Sequence, residues 1–367
     1  MEGWGDKTLI TISLCMIVKN EEAVIGRCLE SVSKLVDEIN IVDTGSIDRT
    51  KDIVAKYTDR ILDFKWIEDF AAARNYAFQQ ATTDYILWLD ADDIFLEKDQ
   101  KAFLELKKKL DPQTDAVSMN YNLTFDEGGN VISSLRRYRL VKREREFKWI
   151  GNVHEYLEVY GDLYQSDVSV SHMPLSHDSE RNLRIYEKMA SSGREFSPRD
   201  LFYYANELLD HGKIEKAIEY YLRFLKTKKG WVEDNIQACH KLADCYNKME
   251  LKELELTWVL HALSYGTPKP ETCCRIAYHF MQKHEIQSAI YWYESALTNK
   301  EADGLAFQNH SCSTWLPHLQ LAVCYDKAGQ HEMGYQHNEK ALKYRPNDPK
   351  MLSNKEYFEK ILNIENK

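Results

Sequence analysis

The apolar positions along residues 1–180 change period several times, and each change predicts an element. "LITISLCMIV" (Leu9 to Val18) is a continuous apolar run that reads as a strand. "EEAVIGRCLESVSKLV" then places Ile25, Cys28, Leu29, Val32 and Leu35 on one helical face. "EINIV" is a second strand ending at "DTGS", where Ser46 is expected to cap the helix "IDRTKDIVAKY". "RILDF" predicts a third strand ahead of the helix "DFAAARNYAFQQA", and "YILWL" a fourth. Strand–helix alternation of this kind implies a parallel sheet with helices on both faces. Ligands of such sheets bind beyond the carboxyl ends of the strands, and "KNEE", "DTGS" and "DADD" all fall there. From about Asp115 longer β-type segments take over, with "DEGGN" (Asp126 to Asn130) as a hairpin turn. They predict an antiparallel extension that covers the same edge.

The second half is helical and repeats itself. Aligning four segments puts Ala205, Ala243, Ala277 and Ala322 in register, with Leu225, Leu263, Leu297 and Leu342 each twenty residues on. Twelve residues after the alanine stand Ala217, Glu255, Ala289 and Gly334, so the second copy is degenerate. The spacings are 38, 34 and 45, the last holding an insertion around "NKEADGLAFQNHSCS". Small residues where paired helices meet, with large apolar ones between repeats, build a stacked solenoid. The pattern resembles tetratricopeptide repeats, whose period is ~34 residues. Such arrays usually bind peptides or proteins, and they can pair two copies into a homodimer. The expected division is an α/β domain over 1–180, on a mixed and mostly parallel sheet, followed by an all-α repeat domain over 181–367.

Composition narrows the setting. A net charge of −10 argues against general nucleic-acid or anionic-membrane binding. The apolar run at Leu9 to Val18 is too short to span a membrane, and it lacks the flanks of a signal peptide. Eight cysteines form no C-x-x-C pair and mostly fall in apolar-periodic segments, so they read as reduced core thiols. A cytoplasmic location is expected.

"YILWLDADDI" carries the chemistry. Three acids within four positions, at the end of a buried strand, repel one another unless a cation shares the site. Together "MIVKNEE", "IVDTGSIDRT", "ARN" (Ala73 to Asn75) and "LDADD" resemble glycosyltransferase family 2, which has a GT-A fold. The resemblance implies a nucleotide-sugar donor. It also implies a divalent metal, Mn2+ or Mg2+, that offsets charge on the departing diphosphate. Carried over residue by residue, Asp90 contacts the ribose or metal and Asp92 binds the metal. Asn20 and Glu21 fall where family members hold the ribose. Asp43 falls where an acid accepts the uracil N3 hydrogen, which favours a UDP-sugar. Arg74 and Asn75 are expected at the donor, while Asp93 is left between a helix cap and a site role.

A second stretch, "RYRL…FKWIGNVHE", resembles peptide-modifying family 2 enzymes, including the S-glycosyltransferases of glycocin bacteriocins. It supplies Glu155, the candidate general base for inverting transfer, with a structural salt bridge as its competing role and His154 beside it. In "VSHMPLSHDSERN", His172 fits a further metal ligand better than His177, and Arg181 could reach the diphosphate. The expected activity is transfer of a hexose or N-acetylhexosamine to Ser, Thr or Cys of a peptide or protein recruited by the repeats. Two other readings stand: a transferase of cell-surface glycan or lipid assembly, and a catalytically inactive scaffold. The intact "DADD", "DTGS" and "ARN" argue against the last.

Overall fold

A computed structural model describes residues 9–175, 180–299 and 304–364 of the protein. The chain divides into two compact units, Met1–Thr124 with Ser134–Arg194, and Phe125–Ser133 with Glu195–Lys367. In the first unit, strands β1 (Ile12–Val18), β2 (Glu38–Asp43), β3 (Ile61–Asp63) and β4 (Tyr85–Trp88) alternate with helices α1 (Ile25–Val32), α2 (Thr50–Val54) and α3 (Phe70–Phe78). Then come β5 (Asp93–Ile94), α4 (Glu97–Lys109), β6 (Ala116–Phe125), β7 (Val131–Lys142), β8 (Lys148–Ile150), β9 (Tyr156–Glu158), β10 (Leu163–His172) and α5 (Glu180–Ser191).

The main sheet runs β3-β2-β1-β4-β7-β6-β10-β5. Its first four strands are parallel, β7 runs antiparallel to β4, and β10 lies parallel to β6 and antiparallel to β5. The expected mixed, mostly parallel sheet is therefore what forms. Its period of two feeds two cores. Ile12, Leu14 and Met16 pack with the α1 face Ile25, Cys28, Leu29 and Val32, while Cys15 and Val42 pack with Ala77, Phe78 and Trp88 on the opposite side. The hairpin at Asp126 is held by its carboxylate, which accepts the backbone N–H groups of Gly128 and Asn130.

One local expectation fails. Ser46 does not cap α2, which begins at Thr50 after Arg49 with no side-chain cap. The Ser46 hydroxyl instead accepts the Asn20 N–H at 2.9 Å, and Asp48 accepts that of Thr50. The turn is pulled toward the neighbouring strand loop and away from its own helix.

In the second unit the paired helices are α6 (Pro198–Asp210) with α7 (Ile214–Thr227), α8 (Val232–Lys248) with α9 (Lys252–His261), α10 (Pro270–Gln282) with α11 (Ile286–Thr298), and α12 (Trp315–Lys327) with α13 (His331–Tyr344). A last helix, α14 (Pro349–Ile361), packs on α13. The four register alanines are fully buried, as are Ala217 and Ala289. At Gly334 a Cβ would lie 2.8 Å from Phe358 and 3.0 Å from the carbonyl of Ala322, so only glycine fits there. Glu255, the odd member, is tolerated because it stays partly exposed and pairs with Lys252. All eight cysteines are free and buried, as their apolar context predicts.

Three histidines of this unit, two of them buried, are held in the neutral form. Burial pulls His240, His318 and His337 down to about 4 from the ordinary 6.5. Once unfolded, each takes a proton near its ordinary value, so acid favours the unfolded chain. Their contribution is complete above about pH 6.5 and is lost as pH falls toward 4. Asp234, pushed up to about 6 by burial, works in the opposite sense, as does Glu21 of the first unit, pushed up to about 7, while burial also lowers His279 and His310. Melting followed by circular dichroism should therefore show a falling transition temperature between about pH 7 and pH 5. The slope should shrink in a His240→Gln, His337→Gln double variant. A flat profile in the wild-type protein would contradict the assignment.

Candidate active site

The ends of β1, β2 and β4 share one edge, and their loops are laced together. Asn20 adopts a left-handed backbone (φ 55°) that turns the chain out of β1. Its side-chain oxygen accepts the Ile47 N–H at 2.9 Å, and Glu21 N–H donates to Thr50 Oγ1 at 2.7 Å. Asp43, the last residue of β2, is buried, and its Oδ1 accepts the N–H groups of Gly45 and Ser46, each at 2.9 Å. Its Oδ2 is buried with no hydrogen-bond partner.

After β4 the chain makes a tight turn, with Asp93 N–H on the Asp90 carbonyl and Asp90 N–H on Asp93 Oδ2. The two-residue β5 then pairs antiparallel with the end of β10, and this register sets Asp93 directly against His172. His172 Nδ1 lies 3.5 Å from Asp92 Oδ1 and 3.7 Å from Asp93 Oδ1, and accepts or donates a hydrogen bond to the Tyr121 hydroxyl at 2.9 Å. One ligand atom from each of Asp92, Asp93 and His172 lies within 4.8 Å of the others. Asp93 is fully buried, so the cap role left open for it does not apply; α4 starts four residues on, after Leu96. His177 lies outside the described residues.

Asp90 takes another direction. Its Oδ1 receives Arg74 Nη2 at 2.6 Å, while Arg74 Nε donates to Glu155 Oε1 at 2.5 Å. The guanidinium sits beside the rings of Trp88 (5.1 Å) and Trp149 (4.8 Å). One arginine thus joins a carboxylate of the strand-end cluster to the acid of "GNVHE". Asn75 has a different task from donor contact: its amide donates to the Trp149 carbonyl at 3.0 Å and accepts the Trp149 N–H at 2.9 Å. Asp69 caps α3 and also accepts from the Asn152 side chain at 3.0 Å. Together they clamp the β8–β9 hairpin, whose turn carries Glu155, onto α3.

The electrostatics follow from crowding. Burial disfavours an ionised Asp90, but the charges of Arg74 and Arg139 win and pull it down to about 2. For His172 burial works against the imidazolium, and the neighbouring carboxylates of Asp92 and Asp93 overcome it, pushing it up to about 10. Glu21 is pushed up to about 7 by burial and by the Asp92 charge, against the pull of Arg181. Burial and a neighbouring carboxylate both favour the protonated form of Glu21 at this edge. Asp93 Oδ1, buried and without a hydrogen bond, is the matching orphan. Two carboxylates and an imidazole around such an oxygen suit a divalent cation such as Mn2+.

Sequence reasoning missed Arg139 and Tyr121. Arg139 is fully buried, with Nη1 2.9 Å from Asp93 Oδ2. The β4–β7 ladder sets Leu87 against Leu140, and one residue on Arg139 stacks over Trp88 at 3.9 Å. Its one signal in the sequence is its strand parity with the apolar Val141, easily lost among the other basic residues of "RRYRLVKRER".

The chain is similar to several known proteins. Residues 13–160 match the model of the glycosyl transferase family 2. A TPR repeat-containing protein of Synechococcus elongatus is 30% identical over 87% of this chain and 74% of its own length. The SPbeta prophage-derived glycosyltransferase SunS of Bacillus subtilis is 28% identical over 62% of this chain, which spans only 56% of that relative. Among solved structures, a crystal structure of MamA matches 44% of this chain and 85% of its own at 17% identity, with a TM-score of 0.36. Residues 13–160 thus form a glycosyl transferase family 2 domain ahead of helical repeats, and the chain as a whole belongs with the TPR repeat-containing proteins.

Proposed function

We propose that this glycosyltransferase is metal-dependent and inverting, and that it moves a hexose or N-acetylhexosamine from a UDP-sugar to a Ser, Thr or Cys side chain of a peptide or protein. The observation that carries the reading is the convergence of Asp92, Asp93 and His172 at the strand edge, with Arg74 linking Asp90 to Glu155 beside it. Asp92, Asp93 and His172 would hold a divalent cation, with Asp90 near enough to serve the ribose or the ion. A bound cation supplies charge compensation for the diphosphate leaving group. Asn20 and Glu21 are assigned to the ribose, and the unpaired Oδ2 of Asp43 to the uracil N3 hydrogen. Glu155, one oxygen held by Arg74, has its other oxygen for the acceptor's proton. The stretch "RYRL…FKWIGNVHE", which resembles peptide-modifying family 2 enzymes, supports a peptide acceptor, which the repeats would recruit.

The test begins with donors. Nucleotide sugars should be turned over with an added peptide in the presence of Mn2+ and not after chelation. Asp92→Ala should lose that turnover while its circular dichroism stays that of the wild type. Full activity of metal-free wild-type protein would overturn the metal assignment, and transfer to glycan or lipid acceptors alone would replace the peptide by a surface-glycan substrate.

Donor choice provides a second check. Cytosine has no hydrogen at N3, so CDP would leave Asp43 facing an acceptor, a loss of ~1–3 kcal/mol. Calorimetry should find UDP bound tighter than CDP by that margin. Equal affinities would remove Asp43 from the base site.

Glu155→Gln keeps size and most hydrogen bonding but cannot take a proton. Donor affinity should hold while turnover on a serine acceptor falls by ~10²–10⁴-fold. A cysteine acceptor, already partly ionised near neutral pH, should lose less. If Glu155 serves only its ion pair with Arg74, the substitution should lower thermal stability and affect both acceptors alike.

A further inference from the structure

We infer that Arg139 is a positioning residue for Asp93, fixing which carboxylate oxygen is offered to a cation. The inference rests on the metal reading above and concerns a side chain outside the proposed ligand set.

Two arginines of β7 show the contrast. Arg136 spends its guanidinium on the fold, donating to Ser118 Oγ, the Ser118 and Ser166 carbonyls and Asn120 Oδ1. Arg139 is the more deeply buried, yet its Nε and Nη2 have no hydrogen-bond partner among the described residues. Nη1 makes the ion pair with Asp93 Oδ2 at 2.9 Å and a long bond to the Trp88 carbonyl at 3.4 Å. The rest of the guanidinium lies between two rings, Trp88 at 3.9 Å and Tyr121 at 4.3 Å. Cation–π contact offsets part of the lost hydration. Even so, a sealed ion pair with two orphaned donors is a poor way to stabilise a core, and apolar residues of similar volume commonly do better.

What the arrangement does achieve is selection between the two oxygens of Asp93. Oδ2 is occupied by Arg139 and by the Asp90 N–H, so it cannot turn toward a ligand. Oδ1 accepts no hydrogen bond from the described residues and faces His172, 3.7 Å from its Nδ1. The same stack steadies the third member of the cluster. Tyr121, whose ring covers Arg139, reaches His172 Nδ1 with its hydroxyl at 2.9 Å. Trp88, Arg139 and Tyr121 thus form a layered floor from which Asp93 and His172 are presented. Partners behind a metal ligand typically change metal affinity by ~10–100-fold when removed.

Calorimetric titration of Mn2+ into the full-length protein tests this, with melting temperatures measured without metal in parallel. The wild type should bind and Asp92→Ala should not. Arg139→Met, which keeps the chain volume and deletes the fork, should bind at least tenfold more weakly. Arg139→Lys keeps Asp93 paired and the core filled, but a point charge cannot both stack and fix one oxygen. It should weaken binding by about threefold or more. A purely structural arginine would lower the melting temperature of both variants and leave their Mn2+ affinity at the wild-type value. That result, or tighter binding, overturns the inference. If Arg139→Met fails to fold, Arg139→Lys decides, and wild-type affinity there overturns it equally. If the wild type itself does not bind Mn2+, the metal reading falls and the role of Arg139 with it.

Discussion

A carboxylate sealed from water at the end of a strand sets the terms for everything around it. Asp93 has no exposed surface, and its charge has to be met by groups already in place. Arg139 meets it from β7, Trp88 and Tyr121 hold Arg139, and the β5–β10 pairing brings His172 to the opposite oxygen. Four strands of the sheet therefore contribute to the surroundings of one side chain. The strand order sets this up: β7 adjoins β4 at the rim of the parallel set, and β10 lies between β6 and β5.

Much of this was legible before any coordinates. The alternation of periods gave the parallel strands, and the small-residue register gave the paired helices, because burial imposes those periods directly. The acids of "DADD" announced a charge problem, and the loops that end β1 and β2 fell at the same edge. What stayed hidden depends on contacts distant in sequence. A two-residue strand such as β5 has no period, so nothing local predicts that Asp93 meets His172. Arg139 reads as one more basic residue until its neighbours across the sheet are known. Asn75 looked like a ligand contact because polar helix faces and binding faces are written alike; its bonds to Trp149 come from a hairpin more than seventy residues away. Ser46 was misread for a similar reason, since a hydroxyl near a helix start can serve the adjacent loop equally well.

Arg74 deserves comparison with Arg139, because the two divide one task. Arg139 is fully sealed and ties a single carboxylate, whereas Arg74 lies nearer the surface and joins two, Asp90 and Glu155. The sealed pair is suited to a fixed geometry. The bridge is open on one side only, where the Asp90 side chain is 35% exposed while Arg74 and Glu155 are nearly buried.

The clamp between α3 and the β8–β9 hairpin is asymmetric. On the helix side it uses the side chains of Asn75 and Asp69, and on the hairpin side it is largely main chain: both polar groups of Trp149 and the Asn152 carbonyl, which takes the Phe70 N–H. Main-chain groups are the same whatever residue carries them. The hairpin's outward side chains can therefore drift through many sequences while its attachment, and the place of its turn, stay where they are. Such a joint holds the place of Glu155 by backbone geometry, whatever side chains the hairpin turns outward.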